Sequence, residues 1–520
     1  MTQRVRCFLK NGISLSLAAL LLRTVSVSFG AYVSGRIGAE GMGLYSLIMS
    51  VYTLAVTFAT SGVQLATTRL VSEALGRGEP EGARAALRTA LGYATVCGAI
   101  ASLLLAVFAP VIGRVWLGDA RTLPALRLLS LALLPVALSS VFSGYFTAVR
   151  RPSRTAAVSI AEQATRILLT VYLLTALLPS GLGYACLALV GGSALAEVLS
   201  AVTLGLLFLL DRRTLGHGRR APAPVRGLLH ITLPIAASSY IRSGLVSLEH
   251  ILIPRALARG GGSREEALSA YGVLSGMALP IALYPMAVVS SFAGLLLPEL
   301  AEGAAREDSR GNATICERSL AAALWFGMAV GGVLAAFAVP LAEAVYGVRE
   351  AGYYLALLAP VIPVMYLDHV TDVALKGLGR QVYAMAVNIL DSVGSILLVL
   401  LLLPRMGAVG YVAVIALAEV FNFAASIAGL RASLAFRFPF LRGAVYPAAS
   451  ILMSVTLVRR LLPVTGVPSL ILAMAVAVLL YLLLLFTLLF FDGRARARAH
   501  RPLDKRTDNG YNRCSMGRNV

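Results

Sequence analysis

The sequence predicts an all-α polytopic membrane protein of about fourteen transmembrane helices, arranged as two parallel six-helix repeats plus two C-terminal helices. Three observations predict it. Charge is too scarce for a water-exposed surface, apolar runs of membrane-spanning length follow one another regularly, and arginines alternate in abundance from one connection to the next. Of 520 residues, 58% are hydrophobic and 13% charged, where soluble domains carry about 25% charged residues. The same figures exclude a disordered chain. A net charge of +20, with 42 of the 45 basic residues arginine, raises nucleic acid as a partner class. The basic residues sit between apolar runs and line no soluble face, so nucleic acid is excluded and the positive-inside rule accounts for them.

A spanning helix takes about 20 mostly apolar residues. Such runs lie at 11–34, 43–66, 86–110, 123–148, 155–178 and 183–210, which together make an N-terminal lobe over 1–210. A basic, proline-containing cytoplasmic linker follows over 211–227. The second lobe, 228–431, holds runs at 229–254, 267–297, 318–342, 352–375, 382–403 and 408–430. Two extra helices, 442–462 and 467–491, occupy the segment 432–491, and 492–520 is a basic cytoplasmic tail suited to an anionic leaflet. The N-terminus, with Arg4, Arg6 and Lys10 before its apolar run, imitates a signal peptide. The run is long for one and lacks a small-residue cleavage site, so it reads as an uncleaved first span.

With the N-terminus inside, the inner connections hold 31 Lys and Arg and the outer ones 10. That bias places both termini in the cytoplasm of a multi-pass cell-membrane protein. Asn312-Ala313-Thr314 then falls in an inner loop, which removes it as a glycosylation site. The five cysteines are scattered and odd in number, with no disulfide framework or metal spacing. No P-loop or HExxH motif is present, so the chain reads as neither an enzyme nor an ATPase, with no cofactor and no metal.

Residues 147–168 align without gaps on 376–397, with Arg151 on Arg380, Ala157 on Ala386, Ile160 on Ile389 and Glu162 on Asp391. Leu178-Pro179 recurs as Leu403-Pro404, and Ala194–Val198 (ALAEV) as Ala416–Val420. The first spans match as well, with Arg23 on Arg242, Ser28 on Ser247 and Arg36 on Arg255. Six spans, an even number, separate the copies, so both halves cross in the same direction and enclose a central cleft between them.

This 6 + 6 + 2 order resembles the multidrug/oligosaccharidyl-lipid/polysaccharide (MOP) exporter superfamily, to which the multidrug (MATE) exporters belong. Within it, Gly35–Ser50 (GRIGAEGMGLYSLIMS), Thr68–Gly76 (TRLVSEALG), Ile251–Ala256 (ILIPRA), Tyr271–Pro280 (YGVLSGMALP) and Leu375–Arg380 (LKGLGR) are similar to the stage V sporulation protein B branch. That branch resembles the polysaccharide and MurJ-type lipid II flippases. The resemblance implies a carrier of an undecaprenyl-diphosphate-linked saccharide from the inner to the outer leaflet, for cell wall or spore cortex synthesis. It also implies a lipid-tail groove at the two extra helices and wall-synthesis enzymes as neighbours. Of the two arginines that MurJ-type proteins carry in the first span, Arg23 matches one, while Phe29 stands at the other position.

A charge at membrane depth costs at least about 2.5–3.5 kcal/mol on insertion scales. Arg23 and Arg242 lie near the middle of their spans, and the repeat places them across the cleft from one another. A guanidinium fork matches phosphate oxygens, so this pair reads as the grip on the diphosphate. The alternative is ion pairing with Glu249 or Asp368. Arg36 and Arg255, near the outer mouth, read as snorkelling anchors or as a headgroup release site. Glu249, Asp368 and Asp372 are the candidates for Na⁺ or H⁺ coupling, with Asp368-His369 and Asp372 on adjacent turns. Glu162 pairs with Arg166 at i,i+4 spacing. Pro280, Pro285, Pro360 and Pro363 break the backbone ladder inside their spans. The competing functions are a cation-coupled multidrug exporter, whose cleft would be acidic, and a non-transporting scaffold for wall-synthesis enzymes.

Overall fold

The computed structural model describes residues 3–60, 62–211, 224–436 and 441–499, and they contain helices and no strand. The first half comprises α1 (Gln3–Thr60), α2 (Val63–Gly76), α3 (Pro80–Val111), α4 (Leu123–Ala148), α5 (Pro152–Leu177) and α6 (Leu182–Asp211). The second comprises α7 (Val225–Arg259), α8 (Arg264–Val273), α9 (Leu279–Ala282), α10 (Met286–Ala305), α11 (Ser309–Tyr346), α12 (Arg349–Leu358), α13 (Ile362–Gly377) and α14 (Gln381–Ser433). Then come α15 (Tyr446–Leu461) and α16 (Val467–Ala499). Residues 212–223 of the expected linker and 500–520 of the expected tail lie outside the described residues.

Eleven helical stretches among the described residues are long and apolar enough to cross a membrane, against about fourteen expected. The difference has a physical reason. α1 and α14 each contain two of the expected spans, joined through a single glycine instead of a loop: Gly38 at φ 69° and Gly407 at φ 60°. Only glycine takes that backbone without strain. α7 has 35 residues, but polar side chains interrupt its apolar run, and those side chains line the cleft described below.

Helix ends follow local chemistry. Proline opens α3, α4, α5 and α15, where its missing N–H has no helical partner to lose. Ser263 and Glu266 form a reciprocal capping box on α8, at 3.1 and 3.0 Å. The expected proline breaks are present. The eighth span turns at Leu283–Pro285 between α9 and α10, and the tenth tightens at Ala359–Val361 between α12 and α13.

One continuous core runs through both halves. A second core joins α15 and α16 to α11 through Ala329, Val333, Phe337, Ile451, Ala473 and Tyr481. Trp325 of α11 anchors that pair of helices, donating its indole N–H to the Arg442 carbonyl at 3.0 Å and accepting Tyr481 OH on its own carbonyl at 2.8 Å. Large apolar side chains such as Leu131, Leu168, Val382 and Leu452 are fully outward-facing, as a hydrocarbon solvent requires.

Candidate functional site

In α7, Ser239, Ser243 and Ser247 recur every fourth residue; in α1, Ser46 with Ser50 and Thr53 with Thr57 do the same. That spacing sets hydroxyls along one face of each helix. The two faces meet. Ser247 Oγ donates to the Ser50 carbonyl at 2.9 Å, Ser243 Oγ to Thr57 Oγ1 at 3.2 Å, and Tyr240 OH to the Phe58 carbonyl at 3.1 Å. Beside this seam lies a cavity of about 660 Å³, bounded by α1, α7, α8 and Ser275. Ten of its fourteen lining residues carry hydroxyls, none is a carboxylate, and Arg242 is the one side chain there with a permanent charge.

Toward the end of the bundle that carries Gly38, the halves close on each other. A Cβ on Gly43 would stand 2.1 Å from the Leu268 carbonyl oxygen, and one on Gly272 would stand 1.9 Å from that of Ala39. α1 and α8 therefore touch backbone to backbone. Beside them, α3 ends in a widened turn, Ile112–Trp116, followed by Gly118 at φ 66°. The turn leaves the carbonyls of Val115 and Leu117 unpaired within the helix, and they accept from Arg255 and Arg264 of the other half. Cations suit the negative end of a helix. Asp119 accepts the Arg121 backbone N–H at 2.9 Å and its guanidinium at 2.7 Å, and Arg121 also reaches Glu40 at 2.8 Å. Burial pushes the Asp119 carboxyl up, but the bonds from Arg121 and the charges of Arg121 and Arg264 outweigh it and hold the group below its ordinary value.

At the opposite end, Gly62 (φ 75°) lets α1 and α2 approach α7, since a Cβ there would stand 2.9 Å from Thr232 Cα. Buried Asp211 gathers Tyr145 OH at 3.0 Å, Arg154 at 2.9 Å and Arg151, which ties the ends of α4, α5 and α6 together.

The carboxylates that the sequence aligns with one another stand in different surroundings. In the first half Glu162 pairs with Arg166 at 2.6 Å, and Glu197 accepts from Tyr52. In the second half Ser395 stands where the repeat would put Arg166. There Asp368 accepts from Asn422 Nδ2 at 3.2 Å, and Asp372 takes Lys376 and Asn388 Nδ2, the latter at 3.3 Å. One oxygen each of Asp368 and Asp391 is buried without a hydrogen-bond partner. Glu249 and Glu419 lie close enough to Asp391 to feel its charge, and Arg242 is the cation acting on Asp391.

Arg242 thus lines the cavity. Arg23, half-buried beside Tyr346, does not, and its Nε has no partner. Arg36 is exposed over the Tyr32 ring, 5.4 Å from its centre, and Arg255 holds the Val115 carbonyl. Neither Arg23 nor Arg242 has a carboxylate within ion-pair distance among the described residues. The hydroxyl wall, Asn388 and Asn422 went unread in the sequence, where the four-residue serine spacing of α7 was the available signal.

Comparison with known proteins agrees with this architecture. The polysaccharide biosynthesis protein family matches residues 8–303. Stage V sporulation protein B of Bacillus subtilis (strain 168) is 26% identical over 415 residues, 78% of this chain and 79% of that protein. Among solved structures, the lipid II flippase MurJ in an inward closed conformation superposes with a TM-score of 0.70 at 12% identity, covering 93% of this chain and 100% of that one. An inward-facing MATE family transporter of the MOP superfamily gives 0.64 at 15% identity, covering 84% and 98%. The chain shares the fold of these membrane transporters, and it belongs to the polysaccharide biosynthesis protein family.

Proposed function

We propose that this protein is a flippase that carries an undecaprenyl-diphosphate-linked saccharide, a lipid II-like peptidoglycan precursor, from the inner to the outer leaflet by alternating access, for wall or cortex synthesis. The observation that carries the reading is Arg242. It is the one permanently charged side chain in a hydroxyl-lined cavity between the two halves, and it has no carboxylate within ion-pair distance there. A guanidinium held in that way suits a diphosphate crossing a low-dielectric region. With the N-terminus inside, as the arginine bias favours, the Gly38 end, where α1 and α8 meet backbone to backbone, is the outer one. Arg23 completes the grip once the cleft rearranges, and Arg36 lies on the exit side.

Asp368, Asp372 and Glu249 are the coupling groups. Asp368 and Asp372 are bridged through Asn422 and Asn388, Lys376 pairs with Asp372, and Glu249 stands near Asp391, on which Arg242 acts, so carboxylates outnumber cations and the cluster carries net negative charge. Na⁺ or H⁺ taken up there would offset that charge. A cation-coupled drug exporter would place carboxylates in the cavity wall, and the wall has none.

The test is rescue of a bacterium depleted of its own lipid II flippases, with membrane levels verified. Growth restored by the wild type and not by Arg242→Ala or Arg23→Ala is the expected result. Failure of the wild type at normal level would reject lipid II as cargo. Full rescue by Arg242→Ala would reject the diphosphate grip.

A further inference from the structure

We infer that the crevice between α10, α11 and α13 binds one anionic diacyl phospholipid of the inner leaflet, with its phosphate on Arg318 and one acyl chain between the helices. The crevice encloses about 540 Å³ and shares no lining residue with the central cavity. Its chemistry is divided. Arg318 and Ser319 of α11 stand at one end, and every other side chain that lines it is apolar. Ala293, Ala322 and Ala323 leave room between the helices, and Phe326, stacked on Tyr366 with ring centres 5.9 Å apart, stands at the far end. Arg318 is exposed and makes no ion pair among the described residues. On the Ser309 side of it, α10 closes on both neighbours. Asn312 Nδ2 donates to the Leu300 carbonyl at 3.3 Å, and a Cβ on Gly377 would stand 3.1 Å from the Leu297 carbonyl oxygen. The helices are thus in contact below Arg318 and apart above it.

Helix geometry sets the depth of this end. α11 has 38 residues, about 57 Å of helix, against a hydrocarbon core of about 30 Å. Centred on that core, the helix extends about 13 Å beyond each face, which is the rise from Ser309 to Arg318. With the N-terminus inside, as the arginine bias favours, Arg318 stands at the inner headgroup boundary. From Arg318 to Phe326 the helix rises about 12 Å, close to the roughly 15 Å of hydrocarbon in one leaflet. The crevice therefore has the reach of one leaflet lipid. A guanidinium at that level attracts anionic headgroups. One cation matches the single charge of a phosphodiester, through a charge-assisted hydrogen bond. A diphosphate finds no second basic side chain lining the crevice. A zwitterionic headgroup sets its own cation against Arg318.

The test is native mass spectrometry of the full chain, offered equal amounts of phosphatidylglycerol and phosphatidylcholine with the same acyl chains. The first lipid bound is expected to be phosphatidylglycerol at least fivefold more often than phosphatidylcholine. Arg318→Gln should bring that ratio towards one, while Arg431→Gln, which removes another exposed arginine, should leave it unchanged. Ala322→Trp fills the crevice and keeps the charge, and it should lower phosphatidylglycerol retention as much as Arg318→Gln does. In the unaltered chain, phosphatidylglycerol with a photoactivatable group at its acyl end should label residues 286–305 or 319–328. Equal retention of the two lipids by the wild type, or an equal loss of preference in Arg431→Gln, overturns the site. Loss in Arg318→Gln with full retention in Ala322→Trp, or labelling confined to other helices, overturns the crevice as the seat of the chain. Displacement of phosphatidylglycerol by an equal amount of undecaprenyl phosphate makes a polyprenyl lipid the occupant and overturns the phospholipid.

Discussion

Gly43 of α1 and Gly272 of α8 cross so closely that a Cβ on Gly272 would stand 2.6 Å from the Gly43 amide nitrogen. This crossing joins one half to the other at the end that faces outward in the proposed orientation. Replacing Gly272 with leucine cannot be accommodated by a side-chain shift, because the obstruction is backbone. The variant is expected to hold the outer mouth open. A cysteine placed at Ser275 should react with an impermeant thiol reagent added from outside at least tenfold faster in Gly272→Leu than in the Gly272 background.

Arg255 and Arg264 latch the same mouth by capturing the carbonyls of Val115 and Leu117 in the turn that follows α3. A hydrogen bond to a charged group is worth about 1.5–3 kcal/mol, and about 1.4 kcal/mol is tenfold in a population. Arg264→Ala should therefore raise the outward-open fraction about tenfold or more, read as a shift in inter-lobe distance by spin labelling. Arg264→Lys, which keeps the charge and loses the planar fork, should fall between.

Asp119 supplies a pH dependence. Its folded-state pKa lies below the ordinary 3.8, so its contribution to stability is complete above that value and is lost as pH falls through the lower, folded one. The melting temperature of the purified protein should decline more steeply below about pH 4 in the wild type than in Asp119→Asn. Parallel curves would remove Asp119 from the account of the outer turn.

Arg166 pairs with Glu162, and its charge reaches Glu197. Arg166→Met leaves Glu162 and Glu197 without it and should destabilise the protein by about 1–3 kcal/mol. Adding Glu162→Gln should recover much of that loss in a thermal unfolding series. In the second half Asp368→Asn should leave the protein folded and abolish dependence of flipping on a Na⁺ or pH gradient.

The relation between sequence and structure is clearest at particular residues. Membrane character, the proline breaks and the Glu162–Arg166 pair were legible because each depends on local periodicity or on a covalent constraint of proline. The joints at Gly38 and Gly407 were not, because a one-residue connection and a loop look alike when only apolar runs are read. Arg255 illustrates a different limit. Its depth was readable, but its partner, the Val115 carbonyl, lies 140 positions away on the far half.

The most direct test of the central claim is transbilayer movement of undecaprenyl-diphosphate-linked N-acetylglucosamine in proteoliposomes containing the purified chain. Transfer by the wild type is expected, with at least tenfold slower transfer by Arg242→Ala at equal incorporation. Transfer by Arg242→Ala at the wild-type rate would contradict it.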